Sequence, residues 1–414
     1  MVFSVLRSRQ FRNYFLSDII SGFGVGMSTI GANWYLMDRT GSLGAIGFML
    51  TLNVLAGFAI SPLVGTLTDR FNRRTIIQGA NWARAVLIFA LALAFLFTGF
   101  HTVYLYLFTI INGMGWTVYM SASRSLVQEL LTEKELMNGN SLIEISLQVG
   151  MFLAGAVSGI LYKYYGFEFI LILNAAAFVI SSLFLSRVRH TPLPVENKDE
   201  SFFANFKEGL RYLKDRPPVF LLGVVSIIPV VAVMIFNVVL PGYVNGPVQG
   251  DSVVFGLSDM FYGIGGLLSG FAAAPLARRL PGQAAVTLFF LLASGVLFAW
   301  AFSASVLLLY LGSVLLGLSN SSLRIIINTR LMETVSKSFM GRAMSVWIAI
   351  SLLLQCISAA GLGVVLDRVA PGLGFAGIGA LMVAGLLLYF VVVYALRASG
   401  AAGAAGQSQA TLEQ

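Results

Sequence analysis

Along this chain, stretches of about twenty apolar residues alternate with short polar turns, a length that matches the roughly 30 Å hydrocarbon core of a bilayer. The runs fall near 13–37, 45–67, 76–99, 103–126, 139–162 and 167–187, then near 219–240, 253–276, 284–303, 306–328, 341–366 and 374–396. Within each run the apolar positions are continuous and do not alternate with period two, which selects helices over barrel strands. A chain crossing lipid must satisfy its own backbone polar groups, and a helix does so within one segment. The expected fold class is therefore an all-α membrane protein of twelve transmembrane helices. The only long polar segment, Arg187 to Pro218, divides the runs six and six. This predicts an N-terminal half over 1–187, a central linker over 188–218 and a C-terminal half over 219–397. An Ala/Gly/Ser/Gln-rich tail over 398–414 is expected to be disordered.

The two halves carry traces of one another. An offset of 209 maps Gly57, Ser61 and Gly65 onto Gly266, Gly270 and Ala274. Both triplets place small residues at every fourth position, where helices can approach closely. An offset of 204 maps Asn33 onto Asn237, and 202 maps Gly115 onto Gly317 and Gly139 onto Gly341. Duplication with helix interfaces in equivalent places is the expected origin of the twelve-helix pattern.

Composition sharpens this picture. Of 414 residues, 57% are hydrophobic and 11% charged, and the mean hydropathy is +0.85, which points to a polytopic protein whose main partner is the lipid bilayer. The net charge of +8 would suit nucleic acid, but its distribution reads as topology. Of the 26 Lys and Arg, all but Arg39, Lys163, Arg368, Arg84 and Arg324 fall on the side holding both chain ends. That bias predicts cytoplasmic termini in a multi-pass cell membrane protein, and no nucleic-acid partner. The single Cys356 excludes an intrachain disulfide, and His101 and His190 are the only histidines. No G-x-x-x-x-G-K-[ST] loop, H-E-x-x-H motif or Cys/His cluster occurs, so no cofactor, no metal and no enzymatic activity are expected. A monomer is expected.

One polar turn stands out between the second and third runs: Gly65-Thr-Leu-Thr-Asp69-Arg70-Phe-Asn-Arg73-Arg74. It resembles the G-x-L-x-D-R-x-x-R-R signature loop of the major facilitator superfamily, which joins the second and third membrane helices. In the second half only Arg278-Arg279 remains of it, with Arg278 at the place of Asp69. Phe11-Arg-Asn-Tyr-Phe-Leu-Ser-Asp, Trp34-Tyr-Leu-Met-Asp-Arg-Thr40-Gly and Ser123-Arg124-Ser-Leu-Val-Gln-Glu129 are similar to the bacterial branch of macrolide-efflux and siderophore-exporting members. The resemblance implies two pseudo-symmetric six-helix halves that export a small organic compound by alternating access, driven by proton influx. It also implies a cytoplasmic gate built on Gly65, Asp69, Arg70, Arg73, Arg74 and Arg124, in which Asp69 and Arg73 pair with the opposite half. Two positions depart from related exporters. The fifth-helix antiporter pattern appears as Gly150-Met-Phe-Leu-Ala-Gly155-Ala-Val-Ser-Gly159 without its proline, and Thr109 stands where many drug–proton antiporters place arginine.

Charges inside membrane helices cost about 2.5–3.5 kcal/mol each at the centre, so they mark partners, cavities or proton sites. Asp18, Asp259 and Glu144 are the proton-coupling candidates, each with an ion-pair or interfacial role as the alternative. Arg84 is expected to be structural. Arg324 is open between anion binding and pairing. The cavity in this family is lined mainly by helices 1, 4, 7 and 10, which makes Asn33, Trp34, Asn112, Trp116, Tyr119, Asn237 and Asn320 the substrate candidates, together with Arg324. The expected activity is proton-coupled efflux of a small amphipathic compound such as a drug or siderophore. The alternatives are a carrier of lipid-like or metallophore substrates without proton antiport, and a non-transporting receptor or scaffold.

Overall fold

A computed structural model describes residues 2–189, 202–280, 283–336 and 339–412. The side chains of some helical positions, among them Gly65, Asp69, Arg70 and Glu144, lie outside the described set. After a short 3-10 turn the chain forms α1 (Arg9–Thr40), α2 (Leu43–Arg70), α3 (Arg73–Thr98), α4 (Thr102–Leu130) and α5 (Glu133–Ser186). There follow α6 (Phe202–Lys214), α7 (Pro217–Asn245), α8 (Ser252–Arg279), α9 (Ala284–Phe302), α10 (Val306–Thr334), α11 (Met340–Leu366) and α12 (Pro371–Leu412). Among the described residues, 10 helices are long and apolar enough to cross a membrane. α5 is one of them but carries a break at Gly166 (φ 82, ψ 177), so it makes two passes, 133–165 and 167–186. That backbone region is open essentially to glycine alone. α4, packed against α2 and α3, completes twelve passes.

Local sequence fixes the turns. Ser42 caps α2 by accepting from Ala45 N at 3.0 Å, and Asn72 caps α3 by accepting from Arg74 N at 3.0 Å. Gly41 ends α1 in the left-handed region at φ 64. The Asp251 carboxylate caps α8, accepting from Val253 N and Val254 N at 3.0 and 3.1 Å.

Three differences from the sequence expectation concern continuity. The fifth and sixth runs need no separate turn, because Gly166 alone redirects the helix. Within the segment read as a polar linker lies α6, an amphipathic helix that buries Tyr212 and Leu213 against the C-terminal half. Its Tyr212 ring stacks on Phe339 at 4.6 Å, and Glu208 pairs with Arg342 at 2.7 Å. The backbone of α12 continues to Leu412, past the expected end of its span. Alanine, frequent there, has the highest helix propensity.

The expected pseudo-symmetry is visible in how helices touch. In the first half α2 packs on α4: Gly57 faces Thr117, and Gly113 lies against the Asn53 carbonyl, with no room for a Cβ. In the second half α8 packs on α10 the same way, Gly265 against the Val314 carbonyl and Gly317 against the Tyr262 carbonyl.

The halves meet through α5 with α8 and α2 with α11. Every such contact detailed here lies toward the α1–α2 turn, the side away from the N-terminus, hereafter the far side. There Ser252 donates to the Gly159 carbonyl at 2.8 Å, and Gly155 and Gly256 sit backbone to backbone. Thr51 donates to the Cys356 carbonyl at 3.4 Å, and Gly47 abuts the Ala359 carbonyl. Asp367 at the end of α11 accepts from Ser42 Oγ at 2.8 Å, Leu43 N at 2.6 Å and Gly44 N at 3.2 Å. Lys163 pairs with Asp251 at 2.7 Å. Burial alone would raise the Asp251 carboxyl, but hydrogen bonds from Lys163 and the Val254 N–H outweigh it and hold it below the usual carboxylate range. This geometry is closed on the far side.

Candidate functional site

Asp18 sits on the inward face of α1 and is 3% exposed. Its carboxylate accepts hydrogen bonds from Tyr119 Oη of α4 and Ser146 Oγ of α5. Hydrogen bonds to a charged group contribute about 1.5–3 kcal/mol each, comparable to the cost of a membrane-centre charge. No cation pairs with it among the described residues. One turn earlier on α1, Tyr14 and Ser123 share a hydrogen bond of 2.5 Å. Beside it Ser17 bonds Ser181 at 2.7 Å, Asn81 donates to Ser181 at 3.1 Å, and Arg84 donates to Asn81 at 2.5 Å. The Arg84 guanidinium lies 4.1 Å from the centre of the Phe178 ring, and its stem fills the space that Gly115 leaves. Arg84 is thus a packed structural group, as expected.

Asn112, Trp116 and Tyr119 occupy positions i, i+4 and i+7 of α4 and so share one helix face. The Trp116 ring is 38% exposed and lies 6.1 Å from that of Tyr119. Asn112 is 4% exposed, and neither of its amide atoms finds a hydrogen-bond partner among the described residues. Trp116 also lines a cleft of about 470 Å³ between α2, α4 and α11, bordered by Asn53, Phe58, Ser61, Ser345 and Ile348. The cleft begins where the α2–α11 contact of the far side ends.

The second half carries a looser cluster. Asn320 Nδ2 of α10 donates to Tyr262 Oη of α8 at 3.3 Å, while its Oδ1 has no partner among the described residues. Arg324 is exposed. Asp259 lies one turn from Tyr262, its Cβ against Gly155 of the opposite half, and has no hydrogen bond among the described residues.

The remaining candidates are dispersed. Asn33 is buried with Oδ1 unpartnered among the described residues, and Asn237 is half-buried on α7. Trp34, expected in the cavity, is 4% exposed and stacks on Phe255 of the opposite half at 5.4 Å, within the far-side closure. Arg73, expected to pair across the halves in the outward-open state, bonds Glu129 of α4, in its own half, at 3.2 Å in this far-side-closed structure. The reason is geometric, since with the halves joined on the far side α4 is the neighbour within reach. Arg74 donates to the Val188 carbonyl at 2.8 Å, and Arg124 is exposed. Gly65, Asp69, Arg70 and Glu144 lie outside the described side chains.

Sequence reasoning missed Ser146 and Tyr14, ordinary residues within apolar runs. It also missed the α2 and α11 walls of the cleft, because attention went to helices 1, 4, 7 and 10. The four-residue spacing of Gly57 and Ser61 was a usable signal.

Comparison with known proteins agrees with this architecture. A sequence profile of the Major Facilitator Superfamily matches residues 14–359. The chain is 24% identical over 403 residues to the enterobactin exporter EntS of Shigella flexneri, covering 92% of each. It is 22% identical over 239 residues to macrolide efflux protein A of Streptococcus pyogenes, covering 57% of this chain and 59% of that protein. The crystal structure of a bacterial homologue of the human lysosomal transporter Spinster, inward-facing and occupied, superposes with a TM-score of 0.73 at 13% identity, covering 94% of this chain and 97% of that one. With a far-side closure, a polar pocket in each half and a superfamily match over most of its length, this chain belongs to the Major Facilitator Superfamily and is a membrane transporter, not an enzyme.

Proposed function

We propose that this transporter exports a small amphipathic organic compound, a drug or a siderophore, in exchange for protons. The carrying observation is Asp18: a buried carboxylate held by hydroxyls, with no cationic partner among the described residues, one helix from the Trp116 and Asn112 face. A carboxylate without a fixed counter-ion can take up and release a proton as the transporter cycles. Asp259, in the far-side seam, is the second proton candidate, and Glu144 the third. Trp116, Tyr119 and Asn112 are the proposed substrate wall, and Asn33, Asn237, Asn320 and Arg324 are further substrate candidates on the other central helices. The positive-charge bias favours cytoplasmic termini in a bacterial inner membrane, so that the far side is periplasmic and the structure is inward-facing. The units 1–187 and 219–397 rock about the midplane, joined by 188–218, and the chain acts as a monomer. Asp69 and the basic residues after it would latch the cytoplasmic side in the opposite state. The enterobactin and macrolide relatives support the substrate class. The test is flux in proteoliposomes: an imposed proton gradient should drive uphill movement of such a compound, and Asp18→Asn should abolish it. Gradient-independent flux would favour the second reading, a carrier of lipid-like compounds, which the uncharged cleft supports.

A further inference from the structure

The cleft between α2, α4 and α11 differs in chemistry from the Asp18 pocket. None of its described lining residues is ionisable. Three of its hydroxyls are already committed as donors to their own helices: Ser61 to the Phe58 carbonyl at 2.9 Å, Thr117 to that of Gly113 at 3.1 Å, and Ser345 to that of Arg342 at 2.7 Å. Asn53 donates one of its two amide N–H groups to the Thr109 carbonyl at 3.1 Å. A hydroxyl whose proton is engaged still offers oxygen lone pairs. The three hydroxyl oxygens of the cleft therefore present acceptors, beside the Trp116 indole. Its rim is apolar and accessible: Phe58 is 56% and Ile348 51% exposed. On α2, Leu55, one turn from Phe58, is 49% exposed as well. For spans in a bilayer, such a surface is covered by acyl chains and not by water.

We infer that this cleft is a lateral entrance and subsite for a neutral amphiphile bearing hydrogen-bond donors, taken from the membrane leaflet on the side of the chain termini. The inference rests on the export reading and specifies its substrate route. The apolar body fits between Phe58, Ile348 and Trp116, and its hydroxyl or amide N–H groups meet the Ser61, Thr117 and Ser345 oxygens. An anionic or zwitterionic head would enter a space with no charge to receive it, at a desolvation cost. From the cleft, Trp116 leads along α4 to Tyr119 and so to Asp18. The buried Asn112, with both amide atoms unpartnered among the described residues, sits one turn from Trp116 on that face.

The test uses the full-length protein in lipid nanodiscs and a dansyl-labelled long-chain alcohol, with energy transfer from tryptophan as the signal. A sulfonated analogue of the same chain length serves as the charged comparison. The alcohol should bind with an affinity that scales with its mole fraction in lipid, and the sulfonate about tenfold more weakly or worse. Ala349→Phe and Ser61→Leu, which fill the cleft, should each lower alcohol affinity by a similar factor while leaving thermal stability and monodispersity unchanged. Unchanged binding in both filled variants, equal binding of the sulfonate, an affinity set by aqueous concentration, or no binding to the wild type would each overturn the inference. The export reading fails separately: a protein whose cleft binds the alcohol but which moves no compound loses the function and keeps the cleft. Gradient-driven flux that persists at wild-type rate in both filled variants does the reverse.

Discussion

Removal of the Asp367 carboxylate should open the far side. This side chain belongs to α11 yet caps α2 of the other half, taking hydrogen bonds from Ser42 Oγ and the N–H groups of Leu43 and Gly44. It is therefore a helix cap made in trans and exists only while the halves are joined. Losing a capping side chain costs about 0.5–2 kcal/mol, and because Asp367 is exposed, screening places the expected loss near the middle of that range, about 1 kcal/mol. In a two-state exchange this is a factor of about five in the ratio of far-side-closed to far-side-open molecules. Asp367→Asn keeps one acceptor and should give a smaller shift in the same direction. Spin labels on Thr40 and Val369, one on each half at the exposed far side, report the change by pulsed double electron–electron resonance. The long-distance population should grow about fivefold in Asp367→Ala, less in Asp367→Asn, with helix content unaltered. An unchanged distance distribution in Asp367→Ala would show that the cap follows closure without stabilising it.

Other outcomes follow from the same geometry. Gly47→Val should block far-side closure, because its Cβ would fall within the Ala359 carbonyl; label distances should show an open far side, and transport should be lost with expression retained. Gly166→Ala should destabilise the α5 bend by about 1–3 kcal/mol, seen as a lower melting temperature; an unchanged one would mean the bend is imposed by packing alone. Asp259→Asn should abolish gradient-driven efflux yet permit downhill exchange, and a wild-type pH dependence in this variant would leave Asp18 or Glu144 as carrier. Asp251 is held below the usual carboxylate range, so its contribution to closure is present at neutral pH and lost only as pH falls through that lowered value. The Lys163→Met variant should accordingly change the resting distance distribution but not the pH profile of transport between neutral and mildly acidic conditions.

The sequence made the twelve passes legible because continuous apolar length is a strong signal; of the offset glycines, Gly57 lies where α2 meets α4 and Gly317 where α8 meets α10, while Gly115 faces Arg84 of α3. It could not show that Gly166 alone would separate two passes, since an isolated glycine in an apolar run reads as packing. The amphipathic α6 was hidden inside a charged segment. At the site, Tyr119 and Trp116 were found through aromatic and polar character on a central helix, and Asp18 through the cost of its charge. Trp34 looked the same by those criteria, but its ring closes the far side against Phe255. Which wall an aromatic residue joins depends on how the halves are rotated, and that is not written in helical periodicity. The partner of Arg73 was missed for the same reason: its choice between Glu129 and the opposite half belongs to the conformational state.

The central claim is that substrate crosses only if the far-side contacts break and re-form. A reducible bifunctional cross-link between Ser42→Cys and Asp367→Cys, in a Cys356→Ala background, tests it most directly, because those side chains meet across the two halves. With the link in place, proteoliposome transport should cease while ligand binding from the termini side persists, and reductant should restore the rate of the unlinked variant. Transport that continues with the cross-link intact would contradict alternating access through this closure.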